Sequence, residues 1–284
     1  MTTHTDPVPS CVVWLAWGDK YVLEAARSRE SITDRSLRTC LITDRKSAAA
    51  APKGTFDHIV EAEFELDSYL RKCELWRCLP AQYDSFLFLD VDTRVIGDIS
   101  LGFDKAKKFG VAMAPAPRYA LERFQGFDEI MRSAGVTPRG QIQFNSGVIF
   151  FSRTPGAQAV LEKWDELAHR FGSNPGRTHD LSMRFGDQPY LSLAMELLEF
   201  QPYVLSTAFN HRAKGELIDG DIRIWHSYKP IPHDINANPD VPYRYVADGR
   251  VRTMAQNHPL RKVVLRAMRE PMDLARSWFK RAIK

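Results

Sequence analysis

The chain has 284 residues, enough for one large domain or two small ones around a core of ordinary size. Hydrophobic residues are 44% and charged residues 26%, which excludes a disordered chain, a collagen and a disulfide miniprotein. Lys+Arg number 39 against 35 Asp+Glu, a net charge of +4, too slight a bias for a dedicated nucleic-acid binder, so no nucleic-acid partner is expected.

Met1 to Ser10 is polar with two prolines and has no apolar central run. A flexible tail rather than a signal peptide is expected. Cys11 to Trp17 (CVVWLAW) is a short apolar run that stops at Gly18-Asp19 and reads as a buried strand. Tyr21 to Ile32 reads as a helix and Leu37 to Ile42 as a second strand. Ser47 to Gly54 reads as a loop or a frayed helix, and Ile59 to Phe64 as a third strand. Ser68 to Leu79 carries Tyr69, Leu70, Cys73, Trp76 and Leu79 at α-helical spacing, with Ser68 as the cap. Ser85 to Leu89 (SFLFL) is a strand that runs into Asp90. A strand at Gly110 to Ala114, an irregular stretch at Pro115 to Gln143 and a strand at Gly147 to Ser152 follow. Helices at Pro155 to Phe171 and Pro189 to Leu198 and a strand at Ile222 to Trp225 complete the pattern. Beyond Pro230 the Pro/Asn-rich chain is expected to be extended.

Strands that are apolar throughout and alternate with helices indicate an α/β protein with a mostly parallel sheet. Ligands of such sheets sit beyond the carboxyl ends of the strands. That rule puts Gly18-Asp19 and Asp90-Val91-Asp92 on one rim. Cys11, Cys40, Cys73 and Cys78 contain no CxxC pair, so zinc has no support and reduced thiols in a cytoplasmic protein are expected. No apolar run of about 18 residues exists, so no spanning helix is expected.

In extended chain, Asp90 and Asp92 point the same way, about 6–7 Å apart along the strand. Two like charges there repel unless a cation or proton lies between them. Mg2+ or Mn2+ with phosphate oxygens on its open positions suits the pair. Two chemistries use such an arrangement. One is nucleotide-sugar transfer. The other is phosphate hydrolysis of the haloacid dehalogenase kind, with Asp90 as nucleophile. That alternative expects its nucleophile strand near the start of the core, whereas SFLFL ends at residue 89.

The segment Arg71 to Ser100, with FNSGVIFF (Phe144 to Phe151), GDQPYL (Gly186 to Leu191) and WHSYKP (Trp225 to Pro230), resembles metal-dependent GT-A-fold glycosyltransferases of family 8. This is the group of glycogenin and bacterial lipopolysaccharide galactosyltransferases. Four motifs agree in order and rough spacing over about Val12 to Pro230. The resemblance implies a Rossmann-like GT-A domain over 11–235, and a retaining transfer of a hexose or pentose from a UDP-sugar to an acceptor hydroxyl. It implies Asp90, Asp92 and His226 as ligands of Mn2+ or Mg2+, with Asp90 also near the donor. Asp19 and Tyr21 would touch uracil, Tyr21 by stacking. Lys72, or Arg71 beside it, would contact the donor sugar or phosphate, and Lys229 would meet the diphosphate. Asn145 would bind the transferred sugar or the acceptor, with Asp187 and Gln188 beside the anomeric carbon. Here His226 and Lys229 are only three apart with no glycine between them, shorter than the family's usual segment. By position alone Asp187 could instead cap the helix that follows it.

The stretch Pro115 to Gln143, with Arg118, Arg123, Phe124 and Gln125, is long for a connection and suits a lid or acceptor wall. Residues 236–284 are expected to form an extended segment and a basic helical tail. Pro259 to Lys284 holds eight basic and two acidic residues and an apolar stripe ending at Trp278. Such a helix either folds back on the domain or lies on an anionic membrane face, here the inner one, where a lipid-linked glycan acceptor would be met. On that second reading the protein could be a membrane-surface module without catalysis.

Overall fold

The computed structural model describes residues 10–116, 127–137, 142–172, 186–212, 214–233, 235–236, 243–247 and 250–253. Its centre is a seven-stranded sheet. The strands are β1 Cys11–Leu15, β2 Arg38–Thr43, β3 His58–Glu61, β4 Ser85–Leu89, β6 Val111–Pro115, β7 Phe144–Ser152 and β8 Tyr203–Val204, and β5 Thr93–Val95 lies outside this sheet. The order is β3-β2-β1-β4-β7-β6-β8. All neighbours are parallel except β7, which runs antiparallel between β4 and β6.

The continuous apolar runs are explained by burial on both faces. Cys11, Val13, Leu15, Phe86 and Phe88 face one core layer, with Leu161 and Trp164 of helix α4 (Pro155–Gly172) and Leu191 and Ala194 of α5 (Gln188–Leu197). Val12, Trp14, Leu87 and Leu89 face the other, with Val22 and Ala25 of α1 (Asp19–Glu30) and Phe103 and Ala106 of α2 (Ser100–Phe109). Alternate residues of one strand thus serve opposite layers, as the period of two requires. A short helix α3, Phe127–Ser133, lies within the stretch read as irregular, and packs Ile130 and Met131 into the first layer.

Ser68–Cys78 is a 3-10 helix rather than the expected α-helix, and Ser68 does not cap it. Ser68 is its first residue, at φ 56, after Asp67, which makes no side-chain cap bond. Three residues per turn stack Leu70 under Cys73, and this tighter winding also turns Lys72, Glu74 and Leu75 inward, all of them buried. The two buried charges have partners: Glu74 accepts the N–H groups of Glu65 and Leu66 and pairs with Arg77, and Lys72 reaches the sheet rim.

A two-stranded ladder joins β5 to β10 (Ile224–His226) in antiparallel register, with His226 opposite Thr93. A separate unit holds an antiparallel sheet of β9 (Lys214–Asp219), β11 (Tyr243–Ala247) and β12 (Arg250–Thr253), in the order β12-β11-β9. Residues 1–9 and the tail from 254 lie outside the described residues, as do Arg118, Arg123, Phe124 and Gln125. All four cysteines are free, and no described helix is long and apolar enough to cross a membrane.

Gly102 of α2 lies against the sheet so closely that an added Cβ would come within 2.4 Å of the Phe150 ring. Phe150 is fully buried and wedged edge-on against Phe103 and Phe209. The Gly102→Ala variant gains helix propensity of up to about 1 kcal/mol, but overpacking costs about 1–3 kcal/mol. The expected outcome is a lower urea midpoint at unchanged slope, measured by circular dichroism; a midpoint at or above wild type would contradict this packing.

Candidate active site

The site begins where β4 stops. The Asp90 N–H donates to the Gly147 carbonyl at 2.8 Å. The chain then turns, for the Thr93 N–H and hydroxyl both donate to the Asp90 carbonyl, at 3.2 and 2.7 Å. Asp90-Val91-Asp92 is therefore a tight turn and not the extended run expected from strand alternation. The reason is the next element: the chain must reverse to enter the β5–β10 ladder. That ladder carries His226 to the aspartates, with Nε2 3.1 Å from Asp92 Oδ1 and 3.6 Å from Asp90 Oδ2. Octahedral oxygen-preferring cations hold ligands at about 2.1 Å, which sets adjacent ligands about 3 Å apart. The three donor atoms fit such an ion. Burial alone would raise the Asp92 carboxyl, but the His226 hydrogen bond and charge, then Arg212, hold it below its ordinary range. Asp92 thus stays in the ionised form that a cation needs. Gly147 closes the back of this corner. A Cβ there would meet His226 Cε1 at 2.2 Å and Asp90 Oδ2 at 2.5 Å, so only glycine fits.

Lys72 comes to the same corner from the 3-10 helix. Its Nζ lies 2.9 Å from Asp90 Oδ1 and 3.1 Å from Asp187 Oδ2. Burial alone would lower the ammonium pKa, but the Asp187 and Asp90 carboxylates together hold it well above the usual range. Asp187 precedes α5 yet makes no side-chain cap bond; its carboxylate turns to Lys72 instead. Gln188 Oε1 accepts from Asn145 Nδ2 at 2.9 Å. Asn145, two residues before the strand expected at Gly147, is the second residue of β7 and is buried. Lys72, not Arg71, enters the site: Arg71 pairs with Asp44 at 3.2 Å and lies over the Trp17 and Phe64 rings.

A cavity of about 520 Å³ opens on this corner, walled by Trp17, Tyr21, Tyr69, Lys72, Asp90, Asp92, Arg212, His226 and Tyr228 among others. Asp187, Gln188 and Asn145 stand behind its wall and touch it through Lys72 and one another. Asp19, exposed in the first turn of α1, is not part of the wall. Neither is Lys229, which is exposed and bonded to Trp225 and Ser227 through its backbone alone among the contacts described. The wall's other cation is Arg212, whose Nη1 lies 2.7 Å from His226 Nε2. Sequence reading missed Arg212, Asn210, Tyr69 and Tyr228. WHSYKP held Tyr228, a polar aromatic two residues from a candidate ligand, whereas FNHR around Asn210 and Arg212 carries no motif.

A second group with metal-ligand chemistry, Glu74, Asp165 and His169, joins the 3-10 helix to α4. Arg77 pairs with Glu74 and Glu65, His169 Nδ1 lies 3.0 Å from Asp165 Oδ1, and burial raises the Asp165 carboxyl above its ordinary range.

No protein-family profile and no curated protein matches this sequence. Solved structures do resemble the fold. The galactosyltransferase LgtC, in complex with donor and acceptor sugar analogs, is 17% identical, with a TM-score of 0.50 over 80% of this chain and 91% of that chain. An active-site mutant of LgtC is 15% identical, at 0.50 over 78% and 88%. Mouse xyloside xylosyltransferase 1 in its apo form is 15% identical, at 0.50 over 78% and 99%. The strand order, the mostly parallel sheet and these likenesses identify the fold as GT-A, the one expected from the sequence, and not that of a dehalogenase.

Proposed function

We propose that this protein is a divalent-cation-dependent glycosyltransferase that moves a hexose or pentose from a UDP-sugar to an acceptor hydroxyl with retention at the anomeric carbon. The observation that carries this reading is the convergence of Asp90, Asp92 and His226, at ligand spacing, on one end of a cavity at the rim of a GT-A sheet. The complex of LgtC with donor and acceptor sugar analogs supports a sugar donor and a glycan acceptor on this fold.

Asp90, Asp92 and His226 would hold Mn2+ or Mg2+, which when bound offsets the charge that builds on a departing diphosphate. Tyr21, half exposed in the cavity wall, offers a face on which uracil can stack. Arg212 supplies the fixed cation on the diphosphate side that Lys229 was expected to supply. Asp187, paired with Lys72 at 3.1 Å behind the cavity wall, would act on the oxocarbenium-like centre through that lysine. Gln188 and Asn145, expected to meet the sugar or acceptor, stand behind the wall and would act on it through Asn210 and His226. The basic stretch Pro259 to Lys284 would hold the enzyme against the anionic inner face of a membrane, next to a lipid-linked acceptor.

Thermal melts test the donor and the ion together. UDP with Mn2+ at about 100 times its Kd adds about 2.7 kcal/mol, or roughly 5–10 °C for a domain of this size. The shift is expected with UDP and Mn2+, not with GDP and Mn2+, and not in Asp92→Asn. No shift with any nucleotide, alongside turnover of p-nitrophenyl phosphate, would replace this reading with a hydrolase. The Gly147→Ala variant is expected to fold, by circular dichroism, and to weaken Mn2+ about tenfold or more, since its Cβ displaces two ligands. Equal Mn2+ affinity in this variant would dismiss the corner as the cation site. An inverted anomer, read by NMR of the product, would leave the transfer but remove the role given to Asp187.

A further inference from the structure

We infer that Asn210 is a positioning residue that fixes the tautomer of His226 and so presents Nε2, rather than Nδ1–H, to Asp90 and Asp92. The inference rests on the proposed function only in taking that corner for a cation site. Its physical chain starts from a group with no choice. The Gly147 backbone N–H can only donate, and it lies 3.1 Å from Asn145 Oδ1. That contact fixes which way the Asn145 amide faces. Its Nδ2 therefore donates to Gln188 Oε1 at 2.9 Å. The Asn210 Nδ2 donates to the same Asn145 Oδ1 at 2.9 Å; turned over, Asn210 would set two oxygens against each other. Asn210 Oδ1 is thus left facing His226 Nδ1 at 2.7 Å, and it can only accept. The hydrogen of a neutral imidazole then sits on Nδ1, and the lone pair is on Nε2.

Arg212 Nη1 lies 2.7 Å from His226 Nε2 and 3.3 Å from Nδ1, and Asp92 Oδ1 lies 3.1 Å from Nε2. The arginine therefore does not choose between the nitrogens; the amide chain alone puts a proton on Nδ1. Gln188, Asn145, Asn210 and His226 are each at most 8% exposed, so water cannot stand in for a lost partner, and each orientation constrains the next. Ligand histidines are commonly oriented by such an acceptor on the other nitrogen, and its loss weakens the metal about 10–100-fold. This chain goes further, since the same amides link the cation corner to Gln188. A change at Asn210 therefore acts on both ends.

The experiment uses the full chain without metal, with long-range proton–nitrogen NMR of His226, followed by Mn2+ titration by electron paramagnetic resonance. Wild type is expected to hold a proton on Nδ1. Asn210→Ala is expected to mix the tautomers and to weaken Mn2+ about 10–100-fold. Asn210→Asp keeps an acceptor for Nδ1–H but sets an oxygen against Asn145 Oδ1. It should keep the proton on Nδ1 even where the broken tie to Asn145 lowers Mn2+ affinity, which a merely structural loss would not allow. An unchanged tautomer and unchanged Mn2+ affinity in Asn210→Ala would overturn the inference, and so would the same loss of the Nδ1 proton in both variants. If wild type binds no Mn2+ at all, the cation reading of the function fails. The tautomer comparison among the three proteins still decides the role of Asn210.

Discussion

A buried ammonium group is the constraint on which this rim depends. Asp90, Asp92 and Asp187 gather within a small volume, and their mutual repulsion would drive them apart or protonate them. Lys72 sits between two of them, at 2.9 and 3.1 Å, with its side chain 10% exposed. An unpaired charge at that depth would be prohibitive, and a single pairing would leave the other carboxylate exposed to its neighbours. The bridge explains the unusual winding of the element that carries Lys72. A 3-10 helix of eleven residues is long for its kind. It can persist because Lys72 and Glu74 are each fastened to partners outside it, Lys72 at the sheet rim and Glu74 at the preceding loop. Tertiary contacts thus override a sequence spacing that reads equally well as α-helix.

Much of the architecture could be read from the chain, for a clear reason. Strands such as CVVWL and SFLFL are buried on both faces, so an unbroken apolar run maps directly onto a central strand. Gly18, at φ 77, ends the first strand where the left-handed region demands glycine. What escaped were features set by distant partners. The three-residue strand β5 is too short to carry a pattern and exists because of β10, which the expected strand at Ile222 to Trp225 overlaps at Ile224 and Trp225. The antiparallel setting of β7 is likewise invisible, because a fully buried run looks the same in either direction.

The rim residues divide along the same line. Asp90, Asp92 and His226 lie next to apolar runs, and their chemistry stands out against them. Their meeting was legible only through motif order, since the ladder that joins them is long-range. The turn at Asp90–Thr93 shows how a correct pairing can be reached from an incorrect local geometry: the carboxylates converge through a reversal of the chain, not through alternation along it. Asn210 could not be picked out, because a buried asparagine in FNHR looks like any turn residue. Asp19 and Lys229 show the converse, for a matching position next to a motif does not by itself bring a side chain to the cavity.

The distances at the candidate cation corner follow from backbone pairing before any ion is considered. His226 is opposite Thr93 in the ladder, its N–H donates to the His211 carbonyl at 2.8 Å, and its ring is held by Asn210. Asp90 is tied to Gly147 through its own N–H. Backbone and amide bonds therefore hold two of the three candidate ligand residues, and repulsion between the carboxylates is restrained by Lys72 and Arg212. A site built this way is preorganised, so little ordering is left to be done when a ligand arrives. Its weak point is then not the carboxylates but the glycine and the amides behind them, where one added carbon or one lost acceptor shifts the geometry of the whole corner.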